Sequence, residues 1–201
     1  TIDIAIFTDG DIKHTAVIPA AGQMVTNDIR IGLRTSLEAA EDIKKKYGSL
    51  INEANDAQIN IPVPSVSDKP ESEISKPSLT HIITCRIDEI FQQIEEEINS
   101  SGWASKIRAG IVFTGGGCKL NGLDTYAENK LLMPTRIGSP KDIIGIQNLS
   151  GQTRYSTAVG LLLYKDEKLN DMPHRQKSDN PIIKYIETIW NKFSIYFQRE
   201  L

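Results

Sequence analysis

Three features of the sequence predict an α/β fold. IDIAIFT (2–8) and IKHTAVI (12–18) alternate apolar and polar residues as strands do, and they flank a turn-forming Asp9-Gly10-Asp11. Leu79, Ile82, Ile83, Ile87, Ile90, Phe91, Ile94 and Ile98 make a long stripe at helical spacing. AGIVFT (109–114) is short, apolar and β-branched, as a buried strand would be, and it runs into Gly115, Gly116 and Gly117 before a segment that reads as a helix.

Composition narrows the classes of function. A chain of 201 residues with 39% apolar and 24% charged side chains is ordinary for a globular protein, which excludes disorder as the whole answer. A net charge of -3 gives no global basic field, so nucleic acid is not an expected partner. Cys85 and Cys118 are too few for a disulfide scaffold and suit a reducing, cytosolic compartment. His14, His81 and His174 lie far apart with no ligand spacing around them, and no metal cage is expected. There is no run of about 18 apolar residues that could span a bilayer. The chain opens directly on a strand, at Thr1 rather than methionine, and is expected to be a piece of a longer protein.

The elements follow in order. The first two strands read as a hairpin. After Pro19, the Met24, Ile29 and Leu33 of AAGQMVTNDIRIGLRT (20–35) suit a buried helix, while Gly22 and Thr26 suggest a tight loop leading into it and mark that entry as a candidate site. Thr35-Ser36-Leu37-Glu38 has the capping-box pattern with Thr35 as N-cap. The helix it starts should run to Tyr47 and end on a left-handed Gly48, with Glu41–Lys45 and Asp42–Lys46 as i to i+4 ion pairs. Residues 49–78 are polar and carry four prolines, with QINIPV as their one strand candidate. The striped helix runs from Leu79 to near Gly102. Beyond the glycines a helix is expected from about Asn121 and another over TRYSTAVGLLLY (153–164). KDEKLNDMPHRQKSDN (165–180) is polar and aperiodic, the composition of a flexible linker.

A strand feeding a glycine turn and then a helix is how α/β proteins present bare N–H groups to a phosphate or nucleotide. The generic patterns fail here. A G-x-G-x-x-G fingerprint needs glycine where Leu120 stands, and a P-loop needs Lys and Ser or Thr where Leu123 and Asp124 follow Gly122. Three glycines together with Lys119 nevertheless favour a nucleotide over a turn that only packs. Cys118 reads as a small residue that fits the turn, since no His or second Cys is near it in sequence.

GIVFTGGGCKLNGL (110–123) resembles the adenosine motif shared by actin, heat-shock chaperones and sugar kinases, and in detail the chain resembles the bacterial cell-division protein FtsA family. TIDIAIFTDGDIKHTAVIPAAGQMVTNDI (1–29) is similar to that family's segment beginning at the last residue of its second phosphate loop. AAEDIKKKYG (39–48) is similar to its adenine-side helix, YSTAVGLLLY (155–164) to its closing helix, and the last residues to its membrane-targeting helix. The resemblance is to the C-terminal half of the family only.

It implies the second lobe of an actin-like (ribonuclease H-like) ATPase fold, with an inserted small α+β subdomain and a C-terminal amphipathic helix. Residues 1–26 and 107–164 would form the nucleotide-binding wall, 27–106 the inserted partner-binding subdomain, 165–180 the linker and 181–201 the membrane helix. The implied cofactor is ATP with Mg2+, held mainly by the half that this chain lacks. Thr1 would end the second phosphate loop and Asp3 follow on its strand; Gly115, Gly116 and Gly117 would lie under ribose and adenine, with Lys119 stacking on the base. Glu41 and Lys44 would approach the ribose hydroxyls and the adenine face from the other side, and Gly22 would sit in a turn toward the cleft. Taken alone, Glu41 and Lys44 read as solvated pairs on a charged helix.

In NPIIKYIETIWNKFSIYFQREL (180–201), an N-cap candidate and a proline precede Ile182, Ile186, Ile189, Phe193, Tyr196, Phe197 and Leu201, which share one helical face flanked by Tyr185 and Trp190. Lys184, Glu187, Lys192, Arg199 and Glu200 exclude a membrane span, so the helix is read as lying in the lipid interface. Partial insertion of these side chains is worth about 7 kcal/mol gross before the cost of folding the helix, micromolar binding at best. A single copy is then a weak, reversible anchor, and a filament of many copies holds by avidity.

The resemblance implies an ATP-binding, self-polymerising adaptor, with at most weak ATPase activity, that tethers filaments of the tubulin homologue FtsZ to the cytoplasmic face of the cell membrane at the division site. Its expected partners are the FtsZ C-terminal tail, further copies of itself, other divisome membrane proteins and an anionic lipid surface. Lys69, in the loop PSVSDKP, and Arg86, read as beginning the long helix, are the candidates for pairing with the acidic tail. The rival readings are an actin-fold sugar or metabolite kinase, which gives no reason for the amphipathic tail, and a pilus-assembly adaptor, which should lack it.

Overall fold

The computed structural model describes residues 1–65, 70, 72–141 and 151–171. The chain divides into two units, Thr1–Thr157 and Ala158–Leu201.

The first unit opens with the expected hairpin. β1 (Ile2–Thr8) and β2 (Asp11–Ile18) pair antiparallel from Ile2 opposite Ile18 to Thr8 opposite Asp11, with an irregularity between Ile6 and Phe7. Asp9 and Gly10 make the turn with φ of 55° and 85°, the mirror-image geometry that suits the twist of the two strands. Alternation then sorts the side chains: Ile6 and Ile18 are buried, with Ile2 and Ile4 packed beside the core, while Phe7, Ile12 and Val17 face outward. His14 Nε2 lies 2.8 Å from Glu97 Oε1, which ties β2 to the long helix.

α1 (Gly22–Leu33) begins at Gly22 itself, so the expected loop through Gly22 and Thr26 is absent; Thr26 lies inside the helix and is fully buried. Its face also carries Val25 and Ile29, and this apolar surface draws the segment into helix before a loop can form. α2 (Leu37–Tyr47) is capped by Ser36, whose Oγ accepts from Ala39 N at 3.1 Å. The expected N-cap, Thr35, is buried and donates to Pro64 O at 2.6 Å, because the chain just after the strand Asn60–Val63 runs beside it. Gly48 does end α2, but with φ −62° rather than in the left-handed region. Glycine is needed there for close approach: a Cβ would stand 2.3 Å from Lys44 O.

Within the proline-rich stretch, β3 (Asn60–Val63) pairs antiparallel with β4 (Ser72–Ser75), a strand with no pattern of its own in the sequence. α3 (Lys76–Ser100) starts earlier than its apolar stripe suggests, because Ser75 accepts from Ser78 N and Pro77 suits a first turn. Leu79, Ile83, Ile87, Ile90, Phe91, Ile94 and Ile98 are all buried in one cluster with Ile29, Ile43, Ile61 and Val63.

A buried ion pair holds the start of α3. Asp56 is 2% exposed and accepts from Lys76 Nζ at 2.8 Å and from Glu53 N at 2.9 Å. These two donors, Lys76 first, outweigh burial and hold its carboxyl below its ordinary value of 3.8. A depressed folded pKa means stabilisation that is present above the unfolded value and lost as pH falls through the folded one. Asp56→Ala should therefore lower the melting temperature at neutral pH, and the gap from wild type should shrink by about pH 3. Melting curves at both pH values check this; a gap of constant size would show that the carboxylate charge is not what stabilises.

β5 (Ile111–Phe113) pairs in parallel with β6 (Thr135–Ile137), and α4 (Leu123–Leu131) lies between them in sequence. β5 is not the buried strand that its apolar run suggests. Ile111 and Phe113 pack on the core, while Val112 is 49% exposed on the opposite face, so among the described residues the core covers one face of this strand.

α5 (Ser156–Asp171) extends past residue 164 into the segment read as linker. Residues 165–171 contain no glycine or proline and include two lysines, a glutamate and a leucine, all good helix formers. In the second unit, Leu161, Leu162, Leu163 and Tyr164 of this helix are exposed. No described helix is long and apolar enough to cross a membrane.

Candidate nucleotide site

The glycine triplet sits between β5 and a short 3-10 turn, Gly116–Lys119. Gly115 has φ +101°, a conformation L side chains rarely adopt, and its N–H donates to Thr153 O at 3.2 Å. Thr114 Oγ1 donates to Gly138 O at 2.8 Å and so fastens the end of β5 to the chain beyond β6. The space around the triplet is more telling. A Cβ at Gly115 or Gly117 would meet no atom within 4 Å, and one at Gly116 would meet only Arg154 Cβ at 3.9 Å. Packing within the chain explains Gly122, where a Cβ would fall 2.8 Å from Ile51, but it does not explain Gly116 or Gly117. The bare backbone there faces open space, with no atom of the chain, immediate neighbours apart, closer than 3.9 Å to where a side chain would begin.

Cys118 in this turn is half-buried, and burial pushes its thiol up to about 11, so it stays protonated and unreactive near neutral pH. Lys119 is exposed beside it. Thr1 and Asp3 are exposed at the start of β1, with Asp3 opposite Val17.

A second group gathers where α1 meets α2. Lys44 Nζ lies 3.0 Å from Gly22 O, 2.7 Å from Thr26 Oγ1 and 2.7 Å from Glu41 Oε2. Thr26 Oγ1 donates to Glu41 Oε2 at 2.6 Å, and Lys45 Nζ stands 3.4 Å from Glu41 Oε1. Partial burial raises the Glu41 pKa, but the bonds from Lys44 and Thr26 and the charges of Lys44 and Lys45 win, and the carboxyl lies below 4.5. It is ionised at neutral pH. The predicted Gly22, Glu41 and Lys44 thus form one polar cluster rather than separate solvated pairs. Thr26, at its centre, is not among the nucleotide-binding residues that the sequence predicts. The available signal was a hydroxyl on the buried face of a helix, which needs a polar partner.

The two groups are joined through the end of α2. Leu50 N donates to Asn121 O at 2.9 Å, and Asn121 Nδ2 donates to Ser49 Oγ at 3.3 Å, so the exit of the glycine turn is bonded to the residues that follow α2. A hollow of about 340 Å3 beside Asp42, Tyr47 and Pro62 is lined by none of these residues.

Of the partner candidates, Arg86 lies well inside α3 rather than at its start, and it is occupied. Its guanidinium donates through Nε and Nη2 to Asp28 on α1 and through Nη1 to Glu89. These contacts, the Asp28 bond foremost, raise its pKa further. It acts as a clamp between α1 and α3. Lys69 and the membrane-face candidates Ile182, Ile186, Ile189, Trp190, Phe193, Tyr196, Phe197 and Leu201 lie outside the described residues. Among the described residues no group of three or more His, Cys, Asp or Glu is placed to hold a metal ion.

Known proteins match this arrangement over most of its length. A family model described as "Cell division protein FtsA" matches residues 1–160. The chain belongs to the FtsA family. The FtsA of Pseudomonas aeruginosa is 44% identical over 171 residues, covering 85% of this chain and 41% of that protein. The FtsA of Neisseria meningitidis serogroup B is 40% identical, covering 81% of this chain and 39% of that protein, and that of Buchnera aphidicola is 30% identical across 100% of the chain and 49% of its own length. The expectation of a likeness to the C-terminal half only is overturned, because the FtsA matches take in most or all of this chain. The chain in turn spans between 39% and 49% of the length of these curated relatives. Among solved structures, MreB5 of Spiroplasma citri bound to ADP superposes with a TM-score of 0.64 at 22% identity, covering 85% of this chain and 52% of that one. A chain of the MamK double helical filament gives 0.52 at 16%, covering 69% and 46%. The fold is therefore an α/β fold like that of MreB5 and MamK.

Proposed function

We propose that this FtsA-family chain works as an ATP-binding, self-polymerising adaptor that ties FtsZ filaments to the cytoplasmic face of the cell membrane at the division site. Family membership along the chain supports the role, and the open glycine triplet is the observation that carries the nucleotide. In this reading the chain is the second lobe of the actin-like fold. Residues 1–26 and 107–164 form the nucleotide wall and 27–106 the inserted partner-binding subdomain, with α1 running unbroken across their border.

ATP lies with its adenosine end over Gly115, Gly116 and Gly117, near Lys119, while Glu41, Lys44 and Gly22 bound the ribose side. Thr1 and Asp3 lie toward the phosphates. In this reading the chain forms one wall of the ATP and Mg2+ site, and its ATPase activity is at most weak. The bound nucleotide supplies the state that controls assembly, and this chain supplies the wall that holds and orients it. Lys69 is the basic residue left for the acidic FtsZ tail, since Arg86 is matched internally. Other divisome membrane proteins, further copies of the chain and anionic lipid complete the set of partners.

The tail supplies the direct test. Deleting residues 181–201 should abolish sedimentation with vesicles containing anionic phospholipid. Ile186→Glu together with Phe193→Glu should do the same by charging the apolar face. Vesicle binding that survives both changes would remove the tether from this reading.

A further inference from the structure

The polar cluster between α1 and α2 has a hub that its outer members depend on. Thr26 is fully buried, yet its hydroxyl touches three partners: Lys44 Nζ at 2.7 Å, Glu41 Oε2 at 2.6 Å and Gly22 O at 3.1 Å. A hydroxyl has one hydrogen to give and can accept as well. The ammonium can only donate, so Thr26 accepts from Lys44. Its own hydrogen then goes to Glu41, the nearer and ionised acceptor, rather than to the Gly22 carbonyl.

The count for Lys44 closes in the same way. Its three N–H groups match Gly22 O, Thr26 Oγ1 and Glu41 Oε2, and its side chain is 17% exposed. No hydrogen is left for a phosphate. The carboxylate oxygen that Lys44 and Thr26 leave to other partners is Glu41 Oε1, which the exposed Lys45 approaches at 3.4 Å, and the Glu41 side chain is 31% exposed. An ionised carboxylate oxygen with its twin held from two sides suits a neutral donor such as a sugar hydroxyl. It does not suit an anionic group.

We propose that Thr26 is a positioning residue for sugar recognition: by accepting from Lys44 and donating to Glu41 Oε2, it turns Glu41 Oε1 toward a hydroxyl of the bound nucleotide's ribose. This rests on the nucleotide reading above. Without the Thr26 hydroxyl, Lys44 and Glu41 still attract one another, but nothing fixes which carboxylate oxygen faces out. The consequence is a loss of sugar discrimination, distinct from a general loss of binding.

The experiment compares ATP with 2′-deoxy-ATP and 3′-deoxy-ATP in the intact protein by calorimetric titration. Wild type should prefer ATP over at least one deoxy form by about tenfold, the worth of one hydrogen bond to a charged group. In Thr26→Val that ratio should fall to near one, and Thr26→Ser should restore it. Thr26→Ala gives the same reading if the valine variant does not fold. Loss of all three nucleotides in equal proportion, or a serine variant that behaves like valine, would overturn the positioning role. Glu41→Ala separates the two levels: if it leaves the wild-type ratio unchanged, the ribose does not meet Glu41 and the site reading itself is wrong.

Discussion

Gly116→Val should weaken ATP binding in the intact protein by about a hundredfold or more and leave the melting temperature nearly unchanged. The two halves of that result have separate causes. Gly116 has no positive φ, and the only atom a Cβ would meet is Arg154 Cβ at 3.9 Å, an ordinary contact, so the chain itself tolerates a side chain. A ligand lying on the bare backbone would not, because three added carbons occupy its place. A hundredfold loss corresponds to about 2.7 kcal/mol, a modest figure for a steric block in a binding site. Gly115→Val is the contrasting variant. Its φ of +101° makes any side chain strained, so there binding and stability should fall together. Nucleotide titration with parallel melting curves reads both. Wild-type affinity in a folded Gly116→Val protein would mean that the open space beside the triplet is not where the nucleotide lies.

Phe91→Ala should cost about 3–5 kcal/mol of stability, the range for removing a buried aromatic ring. Phe91 is 2% exposed and stands where three elements meet: its ring is 5.8 Å from that of Phe113 on β5 and 6.2 Å from that of Tyr126 on α4. Tyr126 in turn donates to Asp88 Oδ1 at 2.8 Å, and burial first, then this carboxylate, pushes its phenol up to about 12. In a chain of this length the loss should lower the melting temperature by roughly 10 °C. Phe91→Leu, which keeps most of the volume, should cost about 1.5 kcal/mol or less. Since Phe113 leads directly into Thr114 and the glycines, the alanine variant should weaken nucleotide binding as well. A loss below about 1 kcal/mol would show that the cavity collapses at little cost and that α3 does not support the glycine turn.

Periodicity made the hairpin and α3 legible, because both bury one face and their pattern follows from that burial. β4 was not legible. SEIS has no apolar alternation, and it is a strand because β3 lies beside it with free backbone groups. The helix cap moved by one residue for a similar reason. Thr35 and Ser36 are both good caps in isolation, and the Pro64 carbonyl, twenty-nine residues away, takes the threonine hydroxyl and leaves the role to serine. Gly48 was placed correctly at the end of α2, but the requirement there is room beside Lys44 O and not handedness. For the site, the glycines and the Glu41–Lys44 helix could be read from the chain as motifs. Arg86 could not be discounted from sequence, since its partner Asp28 sits on another helix fifty-eight residues away.

Local patterns and motifs in series were enough to specify the kind of protein: its opening hairpin, its long helix, its glycine turn and its membership of the FtsA family. Which polar groups hold one another follows from the fold alone. A hydrogen bond between residues distant in the chain depends on distance and direction, and neither is written in spacing. Thr26 shows the difference most clearly. In the sequence it reads, with Gly22, as part of a tight loop at a candidate site; in the fold it is buried inside a helix, bonded to a cation and an anion.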